Sequence, residues 1–416
     1  MDKSRTLKDH RQIGQELDLF SFHDVAPAAA FWHPKGWIIY RSLQELIREK
    51  LAPQDYQEVS TPVMVKNALY KKSGHWEHFG EHNMFNLAIH EDEEITAGKV
   101  PTIHEVNYSL KPMNCPEAAV IYETKTRSYQ DLPLRLADFG ILHRRELSGV
   151  LGGLFRTRQF TQDDAHIFAR TDQIQEEIHK LIVLVSDLYK MFGFTPKFYF
   201  STKPDKAMGD AKLWQEAEKD LEQALKDAKV KYGIKEKDGA FYGPKIDIQI
   251  KDSQDRDWQL ATIQLDFQIP EKMELEYVDK DGKAKRPVII HRAITGSLER
   301  FIGILTEHYQ GAFPLWLSPV QVMVLPIADR HIEKGKLAVE KLRNEGIRVE
   351  LDARNETLQA KIRDATLQKV PYLGIMGDRE AENETVSVRT RDGKDLGQIE
   401  VSKFIKKVKE EIDKKA

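Results

Sequence analysis

The sequence predicts an α+β fold in which a largely antiparallel sheet flanked by helices precedes a smaller α/β domain. Three observations predict it. Residues 245–250 set Ile246, Ile248 and Ile250 against Lys245, Asp247 and Gln249, and residues 261–269 set Ile263, Leu265 and Phe267 against Gln264, Asp266 and Gln268. This period-two alternation marks antiparallel strands with one apolar face, as in a sheet that floors an open cleft. Residues 160–168 alternate too, but the side shared by Phe160 and Phe168 also carries Gln162, Asp164 and His166. After Pro314 the texture changes to strands alternating with helices, which indicates parallel strands in a separate domain. The expected boundary near residue 315 divides 1–314 from 315–416.

Taken in chain order, residues 36–51 carry apolar side chains three or four apart and predict a helix. Residues 56–64 read as extended chain into Pro62, which cannot sit inside a helix. The acidic stretch 90–105 is poor in large apolar residues and is expected to be a solvated surface insertion. Residues 173–191 and 211–228 predict long amphipathic helices. A helix is expected over 292–310, with the stripe Ile294, Leu298, Phe301, Ile302 and Leu305, ended by Gly311. The second domain is expected as strand 320–326, helix 331–344, strand 347–351, helix 357–368 and strand 372–376. A hairpin through Asp392-Gly393 and a Lys-rich helix complete it. No internal repeat is evident.

At 416 residues, with 41% hydrophobic and 31% charged residues, the chain has the composition of a soluble protein of two or three domains. A formal net charge of -3 excludes a global basic field, so any nucleic-acid contact must come from local patches. The lone cysteine, Cys115, excludes an internal disulfide framework and fits a reducing compartment. The charged first residues lack a signal-peptide core, and no apolar run nears the ~20 residues that span a bilayer. The expected location is cytosolic, with no membrane partner.

Arg144 and Glu146 are two apart and are expected to point the same way, with Arg156 just beyond the glycine-containing turn at 149–153. Two guanidiniums aimed at one place suit a polyphosphate. The amide, carboxylate and imidazole on the Phe160 side are costly to bury unless each has a partner or faces a ligand. Together they predict a polar, partly enclosed pocket. An Arg/Glu pair on a strand can also be a surface ion pair of little consequence, but the convergence of both arginines with the polar face favours the pocket. Neither a Walker A motif nor GxGxxG is present. No local spacing such as CxxC or HExxH advertises zinc, and a lone cysteine is ordinarily a small buried hydrophobe.

Six segments in order carry a resemblance that covers nearly the whole chain: Lys-Pro-Met-Asn-Cys-Pro at 111–116, Phe-Thr-Gln-Asp-Asp-Ala-His-Ile-Phe at 160–168, Phe-Tyr-Gly-Pro-Lys at 241–245, Gln-Leu-Asp-Phe at 264–267, His-Arg-Ala-Ile-Thr-Gly-Ser-Leu-Glu-Arg at 291–300 and Arg-Asn-Glu at 354–356. Through them the chain resembles the class II aminoacyl-tRNA synthetases, specifically the threonyl-tRNA synthetase family. The resemblance implies an antiparallel class II synthetase sheet, an anticodon-binding second domain, and homodimerisation through the 36–62 region. It implies ATP with Mg2+, threonine and threonine tRNA as ligands. Arg144 would meet the α-phosphate, Glu146 the adenine amino group and Arg156 the γ-phosphate side, while Phe160 stacks on adenine. Arg300, with Ser297 nearby, and Gln259 complete the ATP set. Arg300 in a buried structural ion pair is the alternative. Met113, Gln162, Asp164, Tyr242 and Gln264 would surround the amino acid, and His75 would lie near the transferred acyl group. A surface-loop histidine is the alternative for His75. Cys115, His166 and His291 match the family's site for one Zn2+ per subunit, whose open position takes the amino and hydroxyl groups of threonine. Asn355, Lys369, Glu380 and Arg389 match anticodon-reading positions, although a solvated charged face would look the same.

The resemblance also implies a selectivity. A site built to engage a hydroxyl can reject valine by ~10⁴ or more, whereas serine lacks only a methyl, worth ~1 to 3 kcal/mol. Family members usually carry an N-terminal editing domain for serine. No such segment is expected in this chain, which would then mischarge serine. Glu117-Ala118 stands where the family commonly has Gly-His, and Leu147 where it often has Pro. Two rivals remain: a catalytically silent, synthetase-like tRNA-binding or regulatory protein, and another class II synthetase such as that for serine or proline.

Overall fold

The structure, a computed structural model, describes residues 7–88 and 107–415, so the insertion expected at 90–105 lies outside the described residues. The chain divides into two compact units: His23–Ala29 with Gln44–Phe301, and Met1–Phe22 with Ala30–Leu43 and Ile302–Ala416.

In the first of these, eight strands form one sheet: β1 (Tyr56–Glu58), β2 (Leu134–His143), β3 (Gln159–Ala169), β4 (Lys197–Ser201), β5 (Tyr232–Lys235), β6 (Lys245–Lys251), β7 (Asp257–Asp266) and β8 (Val288–Ser297). Their order is β5-β4-β6-β7-β8-β3-β2-β1. Every pairing from β4 across to β2 is antiparallel, and the two edge pairings, β4 with β5 and β1 with β2, are parallel. The alternation sorts side chains as expected as far as Asp266: Ile246, Ile248 and Ile250 on β6 and Ile263 and Leu265 on β7 are all buried. Beyond it the expectation over 261–269 is corrected, because β7 ends at Asp266 and Gln268–Lys272 is a short helix capped by Phe267. Asp247 and Asp266 on the polar face are buried as well, so this face is enclosed and its carboxylates must be hydrogen-bonded.

Two helices cover the apolar face. Ile174–Met191 buries Ile178, Leu181, Ile182, Val185, Leu188 and Tyr189, a three-and-four spacing that makes one stripe, and packs on β7 and β8. Ala211–Asp227 buries Trp214, Ala217, Leu221, Ala224 and Leu225 and packs on β7. A second cluster joins Cys115, Ala118 and Tyr122 of the helix Cys115–Glu123 to Leu134, Leu136, Phe168 and Ile289 of the sheet.

The helix expected over 292–310 is corrected by the structure. β8 runs through Ser297, and the helix is Leu298–His308. Ile294 fits a helical stripe, but its segment hydrogen-bonds to β7 on one side and β3 on the other, and that pairing overrides the local period.

In the other unit, Val322–Pro326, Val349–Leu351 and Tyr372–Met376 pair in parallel, and Thr385–Thr390 and Asp395–Glu400 add the antiparallel hairpin. Ile332–Asn344 and Val401–Asp413 bury Ala338, Leu342, Phe404 and Val408 against this sheet. The short helix Asp378–Asn383 was not expected from the sequence. Gly36, near the start of the helix Pro34–Leu51, allows a close approach, because a Cβ there would sit 1.9 Å from the carbonyl oxygen of Leu19.

In the larger sheet, Arg135 of β2 grips Glu177 of the covering helix through Nε and Nη2, at 2.6 and 2.7 Å, with both side chains buried. Removing one partner strands the other charge, so Glu177→Ala should lower stability by about 3–5 kcal/mol in urea denaturation.

Candidate active site

The polar face of the sheet ends in a cleft of about 420 Å³. β3 supplies Phe160 and Gln162, β7 supplies Gln259, Leu260, Thr262 and Gln264, and the β8 corner with its following helix supplies Gly296, Ser297 and Arg300. The segment between β2 and β3 adds Arg144, Glu146, Phe155, Arg156 and Thr157. Every residue expected to bind ATP therefore lines one cleft, along with Gln162 and Gln264. Arg144 and Glu146 do not lie on a strand, since β2 stops at His143. Their direction is set instead by the chain beyond it, where the amide of Arg144 donates to the Arg158 carbonyl.

The cleft is cationic. The Arg144 guanidinium lies 5.2 Å from the Phe160 ring centroid and donates through Nε to the Pro112 carbonyl at 3.1 Å. Arg300 Nε donates to the Phe155 carbonyl at 2.9 Å, a neutral acceptor rather than the carboxylate that a structural ion pair would supply. Burial lowers the pKa of Arg144. Burial does the same to Arg300, with repulsion from Arg144 and Arg156 added. Cations that repel one another in a half-enclosed space favour an anion between them. Arg156 and Glu146 pair with each other at 2.7 Å. Gln259 is held from behind, donating through Nε2 to the buried Asp247 at 2.6 Å.

Next to this cleft, three chemically distinctive side chains meet. Ligand atoms of Cys115, His166 and His291 lie within 4.8 Å of one another, all buried. His166 and His291 are direct cross-strand partners on β3 and β8, and Cys115 opens the helix Cys115–Glu123. The surroundings fit a metal ion. Both ring nitrogens of His166 are buried without a hydrogen-bond partner. His291 Nε2 lies 2.9 Å from Asp266 Oδ2, the carboxylate support that metal-bound histidines commonly have. Burial pushes the Cys115 thiol up, with help from Asp164 and Glu117, and pushes the His166 imidazole down. A divalent cation would reverse the cost at the thiol by favouring thiolate.

The remaining expected substrate residues border this cluster. Asp164 accepts from Asn114 Nδ2 at 3.0 Å, and burial raises its pKa to about 6. Tyr242 donates to Gln264 and stands 5.0 Å, ring to ring, from His291. Met113 is buried in the same core as Cys115. His75 is not a surface histidine. It is fully buried between Ser73 Oγ at 2.9 Å and Cys115 Sγ at 3.4 Å, and burial lowers its pKa to about 3. Glu117, the departure from the family pattern, is buried and accepts from Tyr70 Oη at 2.7 Å.

The four expected anticodon residues do not share one end of their sheet. Asn355 follows the C-terminal end of Val349–Leu351, and Glu380 follows that of Tyr372–Met376. Lys369 precedes Tyr372–Met376, and Arg389 pairs with Leu373 near its start. Glu380 is also engaged locally, accepting from the Gly377 amide at 3.0 Å and from Ser387 Oγ at 2.8 Å. Sequence reasoning missed Asn114, Asp247 and Asp266 as supports. The alternation already placed the two aspartates on the polar face, which was the available signal.

Comparison with known proteins gives the fold and site their class. Residues 99–309 match the tRNA synthetase class II core domain (G, H, P, S and T), and residues 321–411 match an anticodon binding domain. An antiparallel sheet with an arginine-lined cleft of this descent is the core of a class II aminoacyl-tRNA synthetase. The RNA binding domain of threonyl-tRNA synthetase from Cryptosporidium parvum Iowa II superposes with a TM-score of 0.91 at 40% identity, covering 97% of this chain and 98% of that one. Threonine–tRNA ligases of Caldanaerobacter subterraneus subsp. tengcongensis and Carboxydothermus hydrogenoformans are 50% and 49% identical over 98% of the chain. The chain belongs to the threonyl-tRNA synthetase family. It spans 61% and 62% of the length of those two curated relatives. Among the described residues no helix is long and apolar enough to cross a membrane.

If the three donors hold an ion, Cys115→Ala should lower zinc from about one equivalent per chain to a small fraction, measured by elemental analysis after dialysis.

Proposed function

We propose that the chain is a threonine–tRNA ligase, which activates threonine with ATP to threonyl-adenylate and transfers it to the 3′ end of threonine tRNA. The observation that carries this reading is the adjacency of a cationic nucleotide cleft to the Cys115, His166 and His291 cluster, with β3 contributing to both. Activation is an in-line attack of the amino-acid carboxylate on the α-phosphorus, with pyrophosphate leaving. It needs positioning and charge stabilisation rather than a covalent nucleophile. Arg144 and Arg300 neutralise the phosphates, with Mg2+ accompanying ATP. Phe160 stacks on the base, Glu146 engages its amino group, and Arg156 meets the far phosphate by exchanging its bond to Glu146.

Cys115, His166 and His291 would hold Zn2+, which when bound supplies an open coordination position for the amino and hydroxyl groups of threonine. Gln162, Asp164 and Tyr242 orient that amino acid, and Met113 and Gln264 shape its surroundings. His75, buried beside the thiol, would act near the transferred acyl group, as the family resemblance implies. Residues 1–314 act as the catalytic region and 315–416 as the anticodon reader, through Asn355, Lys369, Glu380 and Arg389 against splayed bases. Pairing of two copies through the 36–62 region and a cytoplasmic location complete the proposal.

Threonine-dependent exchange of pyrophosphate into ATP tests it. Arg144→Ala should reduce exchange by about 10²-fold or more. Tight tRNA binding with no exchange for any amino acid would favour the catalytically silent reading, and exchange with serine or proline but not threonine would overturn the substrate assignment.

A further inference from the structure

The ladder between β3 and β8 breaks at the rim of the nucleotide cleft. Ala293 lies opposite Asp164, but the next paired residue, Ser297, lies opposite Gln162. Ile294, Thr295 and Gly296 therefore face the single residue Asp163. A bulge of this size leaves backbone amides without their strand partners, and buried amides must find others.

Asp163 supplies them. Its carboxylate is buried on the side of β3 opposite Gln162 and Asp164. Oδ2 accepts the Ile294 amide at 2.9 Å, and Oδ1 accepts both the Thr295 amide at 2.9 Å and Thr295 Oγ1 at 2.6 Å. A reciprocal bond runs back, because the Thr161 amide donates to Glu299 Oε2 at 2.9 Å. Two buried carboxylates thus cross the gap in opposite directions. Arg292 Nη1 donates to the Asp163 carbonyl at 2.7 Å, and Tyr189 Oη donates to the Ile294 carbonyl at 2.6 Å.

The bulge delivers the cleft residues. Gly296 adopts φ +72, where a side chain would be strained, and Ser297 Oγ then accepts the Arg300 amide at 3.1 Å to start the helix. The direction of the Arg300 guanidinium depends on that corner. Hydrogen bonds to a charged acceptor are roughly twice as strong as neutral ones, so a carboxylate fixes the corner better than a neutral side chain could.

We propose that Asp163, answered by Glu299, is a positioning residue that clasps the β3–β8 break and holds Ser297 and Arg300 in the geometry for the nucleotide. This rests on the cleft being the ATP site, and the test separates the two. ATP affinity is measured by calorimetry on the full chain, and the KM values for ATP and threonine by pyrophosphate exchange, for wild type, Asp163→Asn, Glu299→Gln and Thr295→Val.

The expected result is a KM for ATP raised about tenfold in Asp163→Asn and several-fold in Glu299→Gln, with the KM for threonine within about twofold of wild type. Thr295→Val keeps its amide and loses only the hydroxyl bond, so its rise should be the smallest. A folded Asp163→Asn with wild-type KM for ATP overturns the clasp, as does an equal loss in both KM values, which would mark a purely structural role. Should Asp163→Asn fail to fold, unchanged ATP affinity in both Glu299→Gln and Thr295→Val overturns it instead. If wild type itself binds no ATP, the ATP-site reading fails and the clasp falls with it.

Discussion

The central constraint on this protein is that strand β3 must satisfy polar groups on both of its faces. One face sends Gln162 into the cleft and Asp164 and His166 to the cluster beside it, while the other carries Asp163 into the sheet's interior. A polar side chain buried without a partner costs on the order of 1–3 kcal/mol. Each of these groups therefore fixes something around it: Asp164 holds Asn114, Asp163 holds the corner of β8. His166 is the exception on this strand, with both ring nitrogens buried and partnerless beside Cys115 and His291. The remainder of the sheet keeps this strand paired on both sides, with β8 and β2 in register.

Electrostatics then divides the labour between two adjacent sites. The arginine-lined cleft concentrates guanidiniums that repel one another. The Cys115, His166 and His291 cluster lies beside carboxylates, Asp164 and Asp266, that raise the cost of a free thiolate. One region is short of negative charge and its neighbour is short of positive charge. Opposite deficits held side by side on one sheet are what the proposed joining of an anionic nucleotide to a cation-chelating amino acid would use.

Much of this was legible in the sequence, for identifiable reasons. β6 and β7 alternate cleanly because one of their faces packs on helices, and the second domain's strands and helices were placed nearly residue for residue. The 292–297 segment reads as helix in the sequence because Ile294 satisfies a helical stripe and a strand face equally well, and only pairing with two distant strands decides between them. The metal-like cluster has no local spacing because its members come from two strands and a helix start, so the resemblance and not the pattern suggested it. The short helix Asp378–Asn383, at 6 residues, is too brief to leave a period. The anticodon positions carried over by residue identity, which says nothing about geometry, and they fall at different ends of their strands.

Cross-strand placement of His166 and His291, with the sulfur arriving from a helix start 51 positions before the first imidazole, has a thermodynamic corollary. A chain that has formed only its hairpins or isolated helices cannot present all three donors together. Whatever ion or inhibitor grips them jointly must recognise the finished sheet and raise its melting temperature in proportion to the logarithm of ligand concentration. Occupancy of this small cluster would then report on the integrity of a sheet assembled from widely separated parts of the chain.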